Sequence, residues 1–181
     1  MDVKKFGLYS IKPTQHSHCK RQKCVKDGDQ VLGVKINSSP VPFLSKDSSI
    51  SSDDFKWWKR MQNEKCNRTY FNMIVDKLFE IIPPIPPYEK ASPECCRTCA
   101  VVGNSGNMKE SHFGELIDAH DFVIRINKGP TKGYEEDVGT KTTHHVAFPE
   151  SAVNLSSTTH LVLVTFKIRD LEWVLTNFKP E

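Results

Sequence analysis

The run Pro83-Pro84-Ile85-Pro86-Pro87 constrains this chain more than any other feature. Proline lacks the backbone donor and its ring clashes with the preceding turn, so neither a helix nor a central strand can pass through the run. The run therefore forms a stiff linker, and the sequence reads differently on its two sides. From Met1 to about Asp54 the text is polar and irregular, with a Ser-rich patch from Ser45 to Ser52, and reads as a stem. Two amphipathic segments follow. Phe55, Trp57, Trp58, Met61 and Gln62 are spaced for one face of a helix that Ser52 or Asp53 could cap, and a second helix is expected from Tyr70 to Ile82. The resulting division is 1–52 as stem or linker, 53–95 as helical segment and Pro-rich linker, and 96–181 as the start of a catalytic-type domain.

Beyond the linker, short apolar runs alternate with amphipathic ones. Ala100 to Val102, Phe122 to Ile126 and His160 to Phe166 read as strands, and Lys109 to Ala119 and Arg169 to Phe178 as helices. Strands alternating with helices imply parallel pairing and an α/β fold. The region after Cys99 is short for a doubly wound sheet, which leaves its last strand as an exposed edge.

Ala100-Val-Val-Gly-Asn-Ser-Gly-Asn107 is the segment with the most chemical content: a strand runs into a glycine turn and, on this reading, a helix. Glycines allow close backbone approach, and free amides with the positive end of a helix suit an anion. Asn104, Ser105 and Asn107 add neutral donors and acceptors. Dinucleotide folds place an acidic residue about 20 positions after such a turn, at the tip of the second strand. Asn127 stands there instead, and an amide can bind a ribose or base edge without repelling a phosphate or carboxylate. An anionic nucleotide-sugar fits. A dinucleotide oxidoreductase does not, because Gly103-x-x-Gly106 has the wrong spacing and no acid ends the second strand.

Twenty-five Lys plus Arg against 22 Asp plus Glu leave a formal charge of +3, too mild to argue for nucleic acid as a partner. Cysteines 19, 24, 66, 95, 96 and 99 are many for a cytosolic chain and suggest an oxidising compartment. Acceptor sequences for N-glycosylation begin at Asn37, Asn67 and Asn154 and agree with a secretory lumen. A zinc reading of Cys96-Arg97-Thr98-Cys99, with Cys19 and Cys24 or a His as partners, lacks the usual second close pair. Spacing alone leaves the disulfide pairing open. No stretch approaches the roughly 20 apolar residues that cross a bilayer, and Met1 to Ser10 lacks the apolar block of a signal peptide.

Three runs together resemble the large sialyl motif of animal sialyltransferases: Cys96 to Asn107, then His120-Asp-Phe-Val-Ile-Arg-Ile-Asn-Lys128, then Asp137-Val-Gly-Thr-Lys-Thr-Thr-His-His145. Within that family they look most like the beta-galactoside alpha-2,3-sialyltransferases acting on galactose-beta-1,3-N-acetylgalactosamine, as do Trp57-Trp58-x-x-x-Gln62 and Asp170-Leu-Glu-Trp173. The match is strong from Cys96 to Ser151 and looser from about Cys19 onward. The resemblance implies a Rossmann-like glycosyltransferase domain, a GT-A-like variant, that moves sialic acid from CMP-sialic acid to the 3-position of a terminal galactose without a metal or other cofactor. It implies that Asn104, Ser105 and Asn127 bind the CMP part of the donor and that Gln62 contacts the acceptor galactose. Trp57 and Trp58 are expected to pack. Glu135-Glu136-Asp137 lacks the Asp-x-Asp pattern of metal-dependent glycosyltransferases and is expected to be a solvated loop.

The resemblance also implies what lies elsewhere. The family's base is a histidine in a motif near its C-terminus, expected beyond Glu181, so no catalytic residue is assigned here. His144 and His145 are expected to be structural or to support residues of the site, and not to act as the base. Cys19 and Cys24 match a stem disulfide of the subgroup, and Cys99 pairs in the family with a cysteine of the second half. The family partner of Cys96 falls where Arg21 stands, leaving Cys66 or Cys95 as substitutes. The expectation is thus the N-terminal half of a Golgi enzyme whose type II membrane anchor is not in this chain. The alternative is a non-catalytic short product that binds nucleotide or glycan.

Overall fold

The computed structural model describes residues 43–82 and 97–178. The proline run, Cys19, Cys24, Asn37, Cys95 and Cys96 lie outside the described residues.

Helix α1 spans Ser52–Gln62, one residue earlier than expected, because Ser51 is the cap: its Oγ accepts the Asp54 N–H at 3.0 Å. Asp53 and Asp54 in the first turn and Lys59 and Arg60 in the last complement the helix dipole. Asn63, at φ 52°, takes the left-handed conformation that ends the helix. Helix α2, Arg68–Ile81, starts two residues earlier than its apolar pattern, since Asn67 Oδ1 caps it by accepting the Tyr70 N–H at 2.8 Å. Ile82, the residue before the prolines, is already extended, as a residue preceding proline must be.

Four parallel strands follow: β1 Cys99–Val102, β2 Phe122–Ile126, β3 His144–Ala147 and β4 His160–Leu163, in spatial order β1-β2-β3-β4. The sequence pattern gave three of these and missed β3, whose two histidines hide an apolar core position. Their connections carry short helices, α3 Gly114–Asp118 and α4 Glu135–Val138, and three-residue 3-10 turns at Gly106–Met108 and Pro149–Ser151. Helix α5, Ile168–Asn177, closes the described order.

Consecutive strand order with right-handed crossovers puts all connections on one face. Side chains alternate accordingly. Val102, Val123, Arg125, His145 and Ala147 are buried, and Val102 and Val123 pack with Ile117 of α3 and Val138 of α4. Leu163, in register with Ala147, joins the sheet to a layer of three helices, where Phe55, Phe71, Ile74, Leu78, Ile168 and Leu171 form the larger apolar cluster. On the opposite face Val101 is 66% exposed and Ile124, Val146 and Val162 are half-buried, so that face is uncovered among the described residues.

Trp58 packs against Phe55 and Phe71, and its ring N–H reaches Phe166 O at 2.7 Å, as a packing residue should. Trp57 does not pack. It is 57% exposed on the outer side of α1. Glu135-Glu136-Asp137 is a turn of helix rather than a loop, because the Asp137 and Val138 N–H groups close onto Tyr134 O and the carbonyls of Glu135 and Glu136 lie against Gly114 of α3.

Candidate functional site

In a parallel sheet the C-terminal strand ends point the same way, and ligands of open α/β sheets bind there. Val102 pairs with Arg125, so Asn104 and Asn127, each two positions further on, stand at neighbouring strand tips. Asn104 and Ser105 are exposed and line a cleft of about 140 Å³ together with Gly103, Gly106, Gly129, Pro130 and Tyr134. That is room for a phosphate or a ring, and less than the roughly 300–1,000 Å³ typical of a complete small-molecule site. Asn127 does not line this cleft. It sits beside it, half-buried at φ 55°, with its N–H on Val146 O at 2.7 Å and its Oδ1 accepting the Ser151 hydroxyl at 2.9 Å.

The glycine turn differs from expectation in one respect that matters for anion binding. No long helix follows it. After the 3-10 turn the chain runs through a loop in which Glu110 and His112 have φ of 62° and 54°, and α3 begins only at Gly114. The expected helix from Lys109 to Ala119 is shortened by contacts distant in sequence: Asp137 Oδ1 accepts the His112 N–H at 3.1 Å and Glu136 Oε1 meets His112 Nδ1 at 2.9 Å. A side chain at Gly114 would also strike the carbonyls of Glu135 and Glu136. Helix-dipole stabilisation is therefore absent from the turn, and the groups it exposes to the cleft are loop backbone and the Asn104 and Ser105 side chains. A Cβ added to Gly103 or Gly106 would meet no protein atom, so the protein's own packing does not demand glycine there.

Buried polar groups fix these tips. Arg125, 3% exposed, donates from Nη2 to Val138 O at 2.7 Å and Lys141 O at 2.9 Å, and from Nε to Thr142 Oγ1 at 3.0 Å. Burial pulls the Arg125 guanidinium below its ordinary pKa, with Asp118 opposing. Asp118 in turn accepts from the N–H groups of Thr140 and Lys141 and from the Thr140 hydroxyl, at 2.8–3.0 Å. Burial pushes the Asp118 carboxyl up, but these donors and Arg125 together hold it below the usual carboxylate range. At the other end of β1, Asp121 Oδ2 accepts from the Thr98 N–H at 2.7 Å and hydroxyl at 2.9 Å, and the Thr98 N–H is the main reason its carboxyl is also low.

The two histidines of β3 are packed into the sheet. His144 stacks on His160 with ring centroids 4.8 Å apart, and burial followed by repulsion from His160 lowers its pKa. His145 is 4% exposed, and its pKa is lowered chiefly by burial. Both are neutral near pH 7, and His145 Nε2 has no partner among the described residues. Sequence reasoning missed Arg125 and Ser151 as organisers of the tips, because their partners lie 13 to 24 residues away.

Gln62 is the last residue of α1, half-buried in the helical layer, and the structure gives it no contact with the cleft. Cys66, half-buried, and Cys99, exposed, form no disulfide with each other, and Cys95 and Cys96 lie outside the described residues. Asn67 and Asn154 are both exposed. Among the described residues no group of three or more His, Cys, Asp and Glu could hold a metal ion, and no helix is long and apolar enough to cross a membrane.

Four parallel strands, with a glycine turn and two asparagines at the C-terminal edge of the sheet, place this chain among the open α/β proteins. The family model of glycosyltransferase family 29 (sialyltransferase) matches residues 43–180, and the chain belongs to that family. It is similar to CMP-N-acetylneuraminate-beta-galactosamide-alpha-2,3-sialyltransferase 1 of Sus scrofa, 42% identical over 177 residues that make up 97% of this chain and 50% of the relative. The Homo sapiens protein of the same name is 42% identical over 168 residues, 90% of this chain and 48% of the relative. The fold also matches a crystal structure of a mammalian sialyltransferase in complex with Gal-beta-1-3GalNAc-ortho-nitrophenol, with TM-score 0.70 and 40% identity, over 87% of this chain and 59% of that one. The chain thus spans about half the length of the curated relatives it matches.

Proposed function

We propose that this chain is the donor-binding part of a CMP-sialic acid:beta-galactoside alpha-2,3-sialyltransferase. On this reading the whole protein transfers sialic acid to the 3-position of terminal galactose on glycoproteins or glycolipids in the Golgi lumen. The observation that carries it is the register of β1 and β2, which sets Asn104 and Asn127 at adjacent strand tips beside an open glycine turn. Asn104, Ser105 and the loop amides offer neutral donors to the CMP moiety, and Asn127 offers its carboxamide from the next strand. Neutral donors can stabilise the departing phosphate without holding the product as a fixed cation would. Gln62 is the proposed acceptor contact. Asn37, Asn67 and Asn154 are proposed glycan carriers, Asn67 keeping its capping Oδ1 while the sugar takes Nδ2.

Radiolabelled transfer from CMP-sialic acid to galactose-beta-1,3-N-acetylgalactosamine by the full-length parent tests the reading, and an inactive parent that binds CMP rules it out. Nucleotide binding without transfer is the second reading. It is favoured by what the tips contain: amide and hydroxyl groups, with both nearby histidines engaged in packing. Under it this chain is a short product that binds nucleotide or glycan, and calorimetry shows CMP binding to it without any transfer.

A further inference from the structure

Three polar side chains are buried among the described residues: Arg125, His145 and Ser151. Arg125 ties β2 to the segment before β3, and His145 is enclosed in the sheet. Ser151 ends the 3-10 turn after β3 and is 5% exposed, and neither the donor loop nor the sheet accounts for its hydroxyl.

That hydroxyl accepts the Phe148 N–H at 3.1 Å and has one hydrogen to give. Two acceptors are in reach, Phe148 O at 3.1 Å and Asn127 Oδ1 at 2.9 Å. Phe148 O already receives the Ser151 N–H at 2.9 Å, so Asn127 is both the nearer and the unserved acceptor. Asn127 is also held by its backbone, with its N–H on Val146 O and a left-handed φ that asparagine tolerates better than most residues. With Oδ1 engaged, the group of Asn127 left for a ligand is Nδ2, which carries two N–H donors. Outward donors attract an anionic nucleotide, whereas an outward carbonyl oxygen would repel its phosphate.

We infer that Ser151 is a positioning residue for donor binding: its buried hydroxyl fixes the Asn127 carboxamide with Oδ1 inward, presenting Nδ2 to the phosphate-bearing cytidine nucleotide. The inference rests on the reading of Asn127 as a CMP ligand. The ligand-free half of its test does not.

Nuclear magnetic resonance and calorimetry on the full 181-residue chain test it together. The Asn127 side-chain amide signal is identified by its loss in Asn127→Ala. In Ser151→Ala that signal shifts in the ligand-free protein while the backbone spectrum persists, and the Kd for CMP rises about three- to tenfold, the worth of one hydrogen bond. Ser151→Thr, which keeps the hydroxyl, retains the wild-type amide position and affinity. An unmoved Asn127 amide with unchanged CMP affinity in a folded Ser151→Ala chain overturns the inference, as does a folded Ser151→Thr chain that behaves like the alanine variant. Should Ser151→Ala fail to fold, Ser151→Cys, of similar volume and a much weaker donor, takes its place with the same two outcomes. If the wild type does not bind CMP, or Asn127→Ala binds it equally well, the donor reading fails instead, and the ligand-free amide signal alone still decides whether Ser151 holds Asn127.

Discussion

Where α1, α2 and α5 meet, the contacts are aromatic and aliphatic: Phe55 and Phe71 meet edge to face with centroids 5.6 Å apart, and Leu78 is 2% exposed among them. At the ends of β1 to β3 the apolar cluster is small, four buried residues, and hydrogen bonds from Arg125, Asp118 and Ser151 hold the loops. Apolar packing is strong but indifferent to direction, and suits a layer that only has to stay in place. Hydrogen bonds fix orientation, and suit a region where a carboxamide must point one way. Substitutions in the helical layer should therefore act on stability alone, and substitutions at the tips on both stability and nucleotide binding.

The largest effect expected is from Leu78→Ala, which removes about 2–5 kcal/mol of stability in urea unfolding. Measured on the folded fraction, its CMP affinity stays within twofold of wild type. A tenfold loss there would break the division between the two regions. Arg125→Leu comes next. It leaves the carbonyls of Val138 and Lys141 without their donor, at about 1–3 kcal/mol for each buried group left unpaired. Unlike Leu78→Ala it also weakens CMP binding, because the α4 segment that lines the cleft loosens.

How much of this was legible in the sequence follows the same division. Strand β2 appears at Phe122–Ile126 as its apolar run indicates, and α1, α2 and α5 lie within two residues of their periodic patterns. Local pattern suffices where local pattern is the cause. It failed for the Lys109 to Ala119 segment, where Asp137 and Glu136 hold His112 in a conformation no helix allows. It also failed for β3, since His144 and His145 read as polar and are paired on both sides by strands distant in sequence. The strand-tip positions of Asn104, Ser105 and Asn127 were legible because a glycine turn and a strand end are local signals. Ser151 was not, since only the folded sheet brings it to Asn127.

Acid tests the polar region selectively. Asp118 and Asp121 both titrate below the usual carboxylate range in the folded chain. Groups lowered by folding add stability above their unfolded pKa and lose it as pH falls through the folded value, so that contribution begins to fall away below about pH 4. Asp118→Asn is expected to flatten the acid limb of the stability curve while leaving the Leu78 region's contribution unchanged; thermal melts from pH 7 to pH 3 read this out. The smallest effect is at a cap. Asn67→Ala removes the α2 cap and costs about 0.5–2 kcal/mol with no change in CMP affinity.

Isothermal calorimetry of the 181-residue chain with CMP tests the central claim most directly. Saturable binding is predicted, weakened about tenfold or more by Asn127→Ala, as expected for loss of a hydrogen bond to a charged group. A folded wild-type chain that gives no saturable heat, or an Asn127→Ala chain that binds CMP as well as the wild type, contradicts the assignment of the β1 and β2 tips to the donor nucleotide.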